Sequence, residues 1–226
     1  MPKSKVLVIA PHMDDEVLGC GGTIKRHVEA GDNVAVCVVA NRAYGHKYDH
    51  KLIDREKKAC FRAKNALGYR DLFFLDMPDE KLDSSQIDII MRLEGLAQKI
   101  RADVVYLPHR GDSNQDHRAV FEAARVVFRP YAWKNIPSLR VYEVPSSTDI
   151  LPAAAGWIFL PNFYVDISQT LSYKVKAMSC YRAESRVFPH PRCAEAIRIY
   201  ASKRGAEIGM KAAESFMVIS DSWQQP

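Results

Sequence analysis

An imidazole and three consecutive carboxylates, His12, Asp14, Asp15 and Glu16, follow directly on the apolar run Val6-Leu7-Val8-Ile9-Ala10. Adjacent carboxylates repel, so a chain that sets them at the end of a buried strand needs a cation between them or uses one as a proton acceptor. A second polar cluster, from His109 to His117, follows a second apolar run, Val104-Val105-Tyr106-Leu107. Hydrolytic sites for a divalent ion commonly take three protein ligands from His, Asp and Glu and leave a position for water. His12, Asp15 and His117 make up such a set. Asp14 then stands beside a water whose pKa the ion lowers towards neutrality, and is the candidate general base. Carboxylates also cap helix N-termini, but one acid is enough for a cap, and capping leaves His12 and the second cluster without a role.

Positioning these groups falls to an alternation of strands and helices. Val6–Ala10 and Val34–Ala40 are continuous apolar runs rich in β-branched residues, the signature of parallel strands covered on both faces. Between them, Leu18 to Ala30 reads as a helix closed by Gly31. Asp54 to Leu67 shows helical spacing ahead of Gly68, and Leu72–Leu75 returns to strand. Ser85 caps a helix whose Ile87, Ile90, Met91, Leu93, Leu96 and Ile100 recur at helical spacing. Val104–Leu107 and Val141–Val144 are further strands, with a helix over His117 to Phe128 stopped by Arg129-Pro130. The order predicts an α/β fold: a three-layer sandwich of a mostly parallel sheet with helices on both faces and right-handed crossovers. In such sheets ligands bind beyond the carboxyl ends of the strands, where both polar clusters fall.

The expected organisation is a single domain, with an α/β core over 1–145 and an irregular C-terminal elaboration over 146–226 that walls the site. Prolines and Gly156 break up the elaboration, while Ser168–Tyr181 and Ala194–Gly209 still read as helices. Gly19, Gly21 and Gly22 invite a nucleotide-loop reading, but the dinucleotide fingerprint requires glycine where Ile24 stands, and the acidic loop would repel a pyrophosphate. Close helix–sheet packing explains them better.

Composition narrows the partners. A net charge of +5, from 32 basic and 27 acidic residues, is diffuse and argues against nucleic acid. It is compatible with an anionic small-molecule substrate. The five cysteines form no C-x-x-C pair, which suits a reducing, cytoplasmic setting. No apolar run reaches the length of a transmembrane segment and no signal peptide is expected. Homo-oligomers are allowed.

Pro11-His12-x-Asp14-Asp15-Glu16 after the first strand, with Asp116-His117-Arg118-Ala119 opening a later helix, resembles the PIG-L/LmbE-like family of metal-dependent de-N-acetylases. In the tail, Tyr181, Pro189-His190-Pro191 and Ala213-Glu214-Ser215-Phe216 are similar to a branch of that family. The resemblance implies a Rossmann-like fold, Zn2+ as the usual ion, and removal of acetyl from an N-acetylglucosamine-type amino sugar carried on a nucleotide, lipid or glycan. It matches His12, Asp15 and His117 to the metal ligands, Asp14 to the base, and Asp116 to a carboxylate that orients a neighbouring histidine. A His2Asp set also accepts iron, cobalt or nickel.

Arg55, in Arg55-Glu56-x-x-Ala59, is similar to the family arginine that faces substrate, although a solvated helix face explains it equally well. Asn114 stands where many relatives carry histidine. Asparagine donates a hydrogen bond to an oxyanion but delivers no proton at neutral pH. Asp14, once protonated, His109 and His190 are the candidate acids, with Asn114 or His109 as oxyanion donor and His190 as a substrate contact. The Tyr44-Gly45-His46 stretch is a candidate lid, and His27 and His50 have the least support. Two rival functions stand beside deacetylation: a non-catalytic sugar- or nucleotide-binding protein on the same fold, and a metal-dependent hydrolase of another amide or ester.

Overall fold

The computed structural model describes residues 3–44, 50–150 and 157–222, with 42–44 as backbone alone. Of the candidate lid Tyr44-Gly45-His46, Gly45 and His46 lie outside the described residues. Strand β1 (Lys5–Ala10) leads through α1 (Asp15–Ala30) to β2 (Asn33–Tyr44), and α2 (His50–Leu67) leads to β3 (Asp71–Asp79). Helix α3 (Gln86–Ile100), β4 (Val104–Pro108), α4 (Gln115–Val127) and β5 (Ser138–Tyr142) complete the parallel part. The C-terminal third contributes β6 (Phe163–Asp166), α5 (Leu171–Met178), α6 (Ala194–Ala206) and β7 (Ala213–Ser220).

One seven-stranded sheet runs in the order β3-β2-β1-β4-β5-β7-β6. Strands β1 to β5 pair in parallel, whereas β7 pairs antiparallel with both β5 and β6. The expected three-layer α/β sandwich is borne out. The tail is more regular than its prolines suggest, because β6 and β7 extend the same sheet. Alternation along the strands divides the core: Val6, Val8, Val36 and Tyr106 face α1, α2 and α5, while Leu7, Ile9, Val105 and Leu107 face α3 and α4.

The order reverses beside β1, whose neighbours are β2 and β4. Loops leaving the carboxyl ends of β1 and β4 therefore converge, and they carry the two polar clusters. Helix α1 lies close against the sheet. A Cβ at Gly19 would sit 2.2 Å from the Tyr142 ring, and one at Gly22 would sit 2.7 Å from Ile167, so packing accounts for both glycines. Into the middle of this helix the tail inserts a buried ion pair. Lys174 Nζ lies 2.6 Å from Glu214 Oε1 and donates to the Leu18 carbonyl at 2.8 Å. Glu214 in turn accepts from the Gly22 and Thr23 amides at 2.9 and 2.7 Å.

Candidate metal centre

The β1–α1 loop is tight, and its backbone is bent by Asp14, which adopts φ 116° and ψ −23°. A non-glycine residue with such a positive φ is held there by its surroundings. The Asp14 amide donates to Glu16 Oε2 at 3.0 Å, and Glu16 Oε1 accepts from the Tyr181 hydroxyl at 2.5 Å. Burial pushes the Glu16 carboxyl up to about 7, against the opposing pull of the Tyr181 hydrogen bond and with a further push from Asp14.

His12 and Asp15 flank this bend, and His117 enters from the first turn of α4. Asp15 Oδ2 lies 3.2 Å from His12 Nδ1 and 3.2 Å from His117 Nε2. All three side chains are buried. Asp15 Oδ1 is buried with no hydrogen-bond partner among the described residues. The remaining nitrogen of each imidazole is backed by carboxylate: His12 Nε2 is 2.9 Å from Asp79 and 3.1 Å from Asp116, and His117 Nδ1 is 3.2 Å from Asp112. Outer carboxylates of this kind fix the tautomer and orientation of a metal-ligating histidine. The donor set, its backing and the orphaned oxygen fit a divalent ion.

The charge balance points the same way. Asp14, Asp15, Glu16, Asp79, Asp112 and Asp116 are all buried. Burial opposes charge on His12, but hydrogen bonds to Asp116, Asp15 and Asp79 outweigh it and hold the imidazole well above its usual range. His117 is lifted likewise to about 9, Asp15 and Asp112 overcoming desolvation. Asp15 lies well below the usual carboxylate range because the two histidines outweigh its burial.

The other sequence candidates are placed as follows. Asp116 faces His12 and also accepts from the Glu80 and Leu82 amides at 2.8 and 3.2 Å. Asn114 caps α4, its Oδ1 accepting from the Asp116 amide at 2.8 Å. His109 packs edge-on against Phe159 with centroids 5.4 Å apart, and its Nδ1 accepts from the Gly111 amide at 3.2 Å. Burial lowers its pKa. His190 is exposed, and its Nδ1 accepts from the Arg192 amide at 3.1 Å. Arg55, its side chain 64% exposed, lies 3.5 Å from Glu56 and lines a cavity of 810 Å3 with Arg62 and Arg182.

Three participants escaped the sequence reading. Asp112 Oδ2 accepts from the Ser147 and Thr148 hydroxyls at 2.9 and 2.6 Å and backs His117. It lay inside the second cluster, indistinguishable by type from Asp116. Asp79 sits at the carboxyl end of β3, a signal available only once β3 is ordered in the sheet. Arg192 comes from the tail: its guanidinium lies 3.1 Å from Asp14 Oδ2, pairs with Glu184, and donates from Nε to the Ser146 hydroxyl at 3.2 Å. Its only sequence sign was the neighbouring Pro189-His190-Pro191 segment.

Two imidazoles braced by carboxylates at the carboxyl ends of parallel strands suit a divalent cation and water far better than a nucleotide, the kind of donor set that metal-dependent α/β hydrolases use. The sequence model of the PIG-L family, described as GlcNAc-PI de-N-acetylase, matches residues 7–128, and the chain belongs to that family. It is similar to the Escherichia coli (strain K12) protein named uncharacterized deacetylase YaiS, with 29% identity over 170 residues covering 73% of this chain and 82% of that protein. It is also similar to diacetylchitobiose deacetylase of Thermococcus kodakarensis, at 26% identity over 191 residues, 80% of this chain and 70% of the relative. Among solved structures, GalB of Pseudomonas putida KT2440, a 4-carboxy-2-hydroxymuconate hydratase, shares the fold with TM-score 0.77 and 19% identity over 100% of this chain and 99% of that one. The last likeness concerns the fold alone.

Proposed function

We propose that the protein is a zinc-dependent deacetylase acting in the cytoplasm on an N-acetylglucosamine-type amino sugar that carries an anionic group, releasing acetate and the free amine. The observation that carries this reading is the meeting of His12 Nδ1, Asp15 Oδ2 and His117 Nε2, with the buried carboxylate of Asp14 on the same loop. His12, Asp15 and His117 would hold a divalent ion, which would supply Lewis acidity towards the amide carbonyl and a lowered pKa for a water.

The chain's own groups do the rest. Asp14 takes a proton from the attacking water as its oxygen bonds to the carbonyl carbon. The resulting oxyanion forms next to a fixed cation, the Arg192 guanidinium, which Glu184 and Ser146 hold against Asp14. As the C–N bond breaks, Asp14 returns its proton to the departing nitrogen, and the amine leaves together with acetic acid, which gives up the second water proton to solvent to become acetate. This scheme gives Asp14 the role of acid as well as base. His109, turned towards Phe159 and Gly111, and Asn114, engaged at the α4 cap, are less well placed to serve.

Recognition of an anionic group is supported by the 810 Å3 cavity between α2 and the α5 end, where Arg55, Arg62 and Arg182 gather. Arg62 and Arg182 make no ion pair with a carboxylate among the described residues. The cavity's wall residue Ala183 is the chain neighbour of Glu184, which pairs with Arg192. Five cysteines without a disulfide agree with a reducing compartment, and no helix among the described residues is long and apolar enough to cross a membrane.

The test is acetate release from N-acetylglucosamine-1-phosphate and from N,N'-diacetylchitobiose by the zinc-loaded protein, with and without chelator. Chelator-sensitive acetate release, lost in Asp14→Asn, is expected. Turnover that survives chelation, or binding of the sugars without acetate, overturns the reading.

A further inference from the structure

A cavity of 350 Å3 opens between the second half of α1, the middle of β4 and β5, and β6, with Thr23, Arg26, His27, Tyr106, Arg140 and Phe163 in its wall. Its volume falls within the range of small-molecule sites, about 300–1,000 Å3. It is separate from the metal centre: α1 starts at Asp15 in the catalytic loop, and His27 lies about 18 Å further along the helix axis at 1.5 Å per residue.

Two polar atoms in this wall have unmet hydrogen-bonding capacity. Thr23 Oγ1, on a residue 1% exposed, and Arg140 Nε are both buried without a hydrogen-bond partner among the described residues. Buried polar atoms are nearly always satisfied, so two on the residues of one wall set this region apart from ordinary packing.

The guanidinium of Arg140 is also firmly aimed. It stacks 4.2 Å from the Phe163 ring centre and donates from Nη1 to the Tyr106 hydroxyl at 3.1 Å. That hydroxyl lies 3.0 Å from His27 Nε2, and His27 Nδ1 lies 2.7 Å from Asp32. Burial keeps His27 below its usual pKa despite Asp32, which favours the neutral ring that relays this chain of hydrogen bonds. No carboxylate pairs with Arg140 among the described residues, and Arg26 donates to the Asp166 carbonyl at 2.5 Å. The rest of the wall is ring and aliphatic surface from Tyr106, Phe163, Tyr164, Val165 and Ala30, with Asp166 at one edge, its carboxylate accepting from the Ser168 amide and hydroxyl at 2.9 and 2.5 Å.

We propose that this cavity is a second ligand site, for a small molecule bearing one carboxylate on an apolar or aromatic body. The carboxylate accepts from the Arg140 guanidinium, with Thr23 in the adjoining wall, and the body lies against Phe163 and Val165. Site and ligand class are independent of the deacetylase reading.

Titration calorimetry and thermal unfolding with benzoate and 2-naphthoate, against benzamide and benzyl alcohol, test it on the metal-loaded protein. The carboxylates should raise Tm at millimolar concentration. They should bind more tightly than the neutral analogues by about tenfold or more, the worth of a charge-assisted hydrogen bond. Arg140→Met should cost a similar factor, Thr23→Val less, and Val165→Trp, which fills the cavity, should abolish binding while acetate release stays at the wild-type rate. Should Arg140→Met fail to fold, the Thr23 and Val165 variants still decide. The proposal falls if neither carboxylate binds, if neutral analogues bind equally, or if binding survives Val165→Trp, since carboxylate held only at the metal centre would do so.

Discussion

Replacing Lys174 by Met tests how the tail secures the helix that opens with Asp15. The methionine keeps most of the aliphatic volume, so little cavity forms, but the ammonium disappears from a pair in which Lys174 is 6% and Glu214 4% exposed. Glu214 keeps its two amide donors, Gly22 and Thr23, and loses its only ion-pair partner among the described residues, while the Leu18 carbonyl loses its donor. Breaking a buried pair in this one-sided way costs about 3–5 kcal/mol. At roughly 2–4 °C per kcal/mol for a chain of this size, Tm should fall by about 6–20 °C. Lys174→Met/Glu214→Gln removes the stranded charge and should recover part of the loss, a coupling of about 1–3 kcal/mol. Circular dichroism during heating, with urea titration for the free energies, measures these two variants and the Glu214→Gln single mutant. A single mutant within 2 °C or so of wild type, or a double mutant equal to the sum of the singles, refutes the assignment of Lys174 as the carboxylate's essential counter-charge.

Other expectations concern the site itself. Asp14→Asn should retain a full complement of metal while turnover falls by about 10²–10⁴, the usual worth of a general base, whereas His12→Ala should lose both; metal analysis beside acetate assays separates the two. Arg192→Lys keeps the charge but cannot span Asp14, Glu184 and Ser146 together; losing one charge-assisted hydrogen bond of about 1.5–3 kcal/mol lowers kcat roughly 10- to 150-fold, and unchanged steady-state kinetics would exclude the role. Asp112→Asn should weaken metal affinity by about 10- to 100-fold in competition with a chromogenic chelator. In metal-stripped protein, His117 has a folded pKa of about 9 against an ordinary 6.5. A raised value of this kind contributes stability that is complete below 6.5 and lost as pH climbs through 9. Tm of the stripped protein should therefore decline over that window, and His117→Gln should flatten the decline.

Much of this architecture was legible in the residues. β-Branched runs located β1, β2 and β4, and the polar residues crowded at two strand ends pointed to His12, Asp15 and His117 before any topology was known. What stayed hidden depends on pairing across the sheet. β6 has only the four residues Phe163–Asp166, too short a run to announce itself among prolines, and it is stabilised by β7 beside it. Asp79 acquires meaning only because β3 lies outside β2, at the same end as β1. Helix α2 begins at His50, ahead of the expected Asp54, since Ile53 is already buried. Arg192 was least visible, because an arginine between a proline and a cysteine carries no periodic signal, and only the return of the tail brings it to Asp14.

That return divides labour along the chain. The segment matched by the family model, 7–128, contains every proposed ion ligand, while the cation touching Asp14 comes from beyond it. Grafting a relative's last eighty or so residues onto this framework should therefore leave ion capture intact and reset both turnover and substrate choice. Within such a lineage, new preferences can arise by rewriting one end of the polypeptide while the reactive centre stays unaltered.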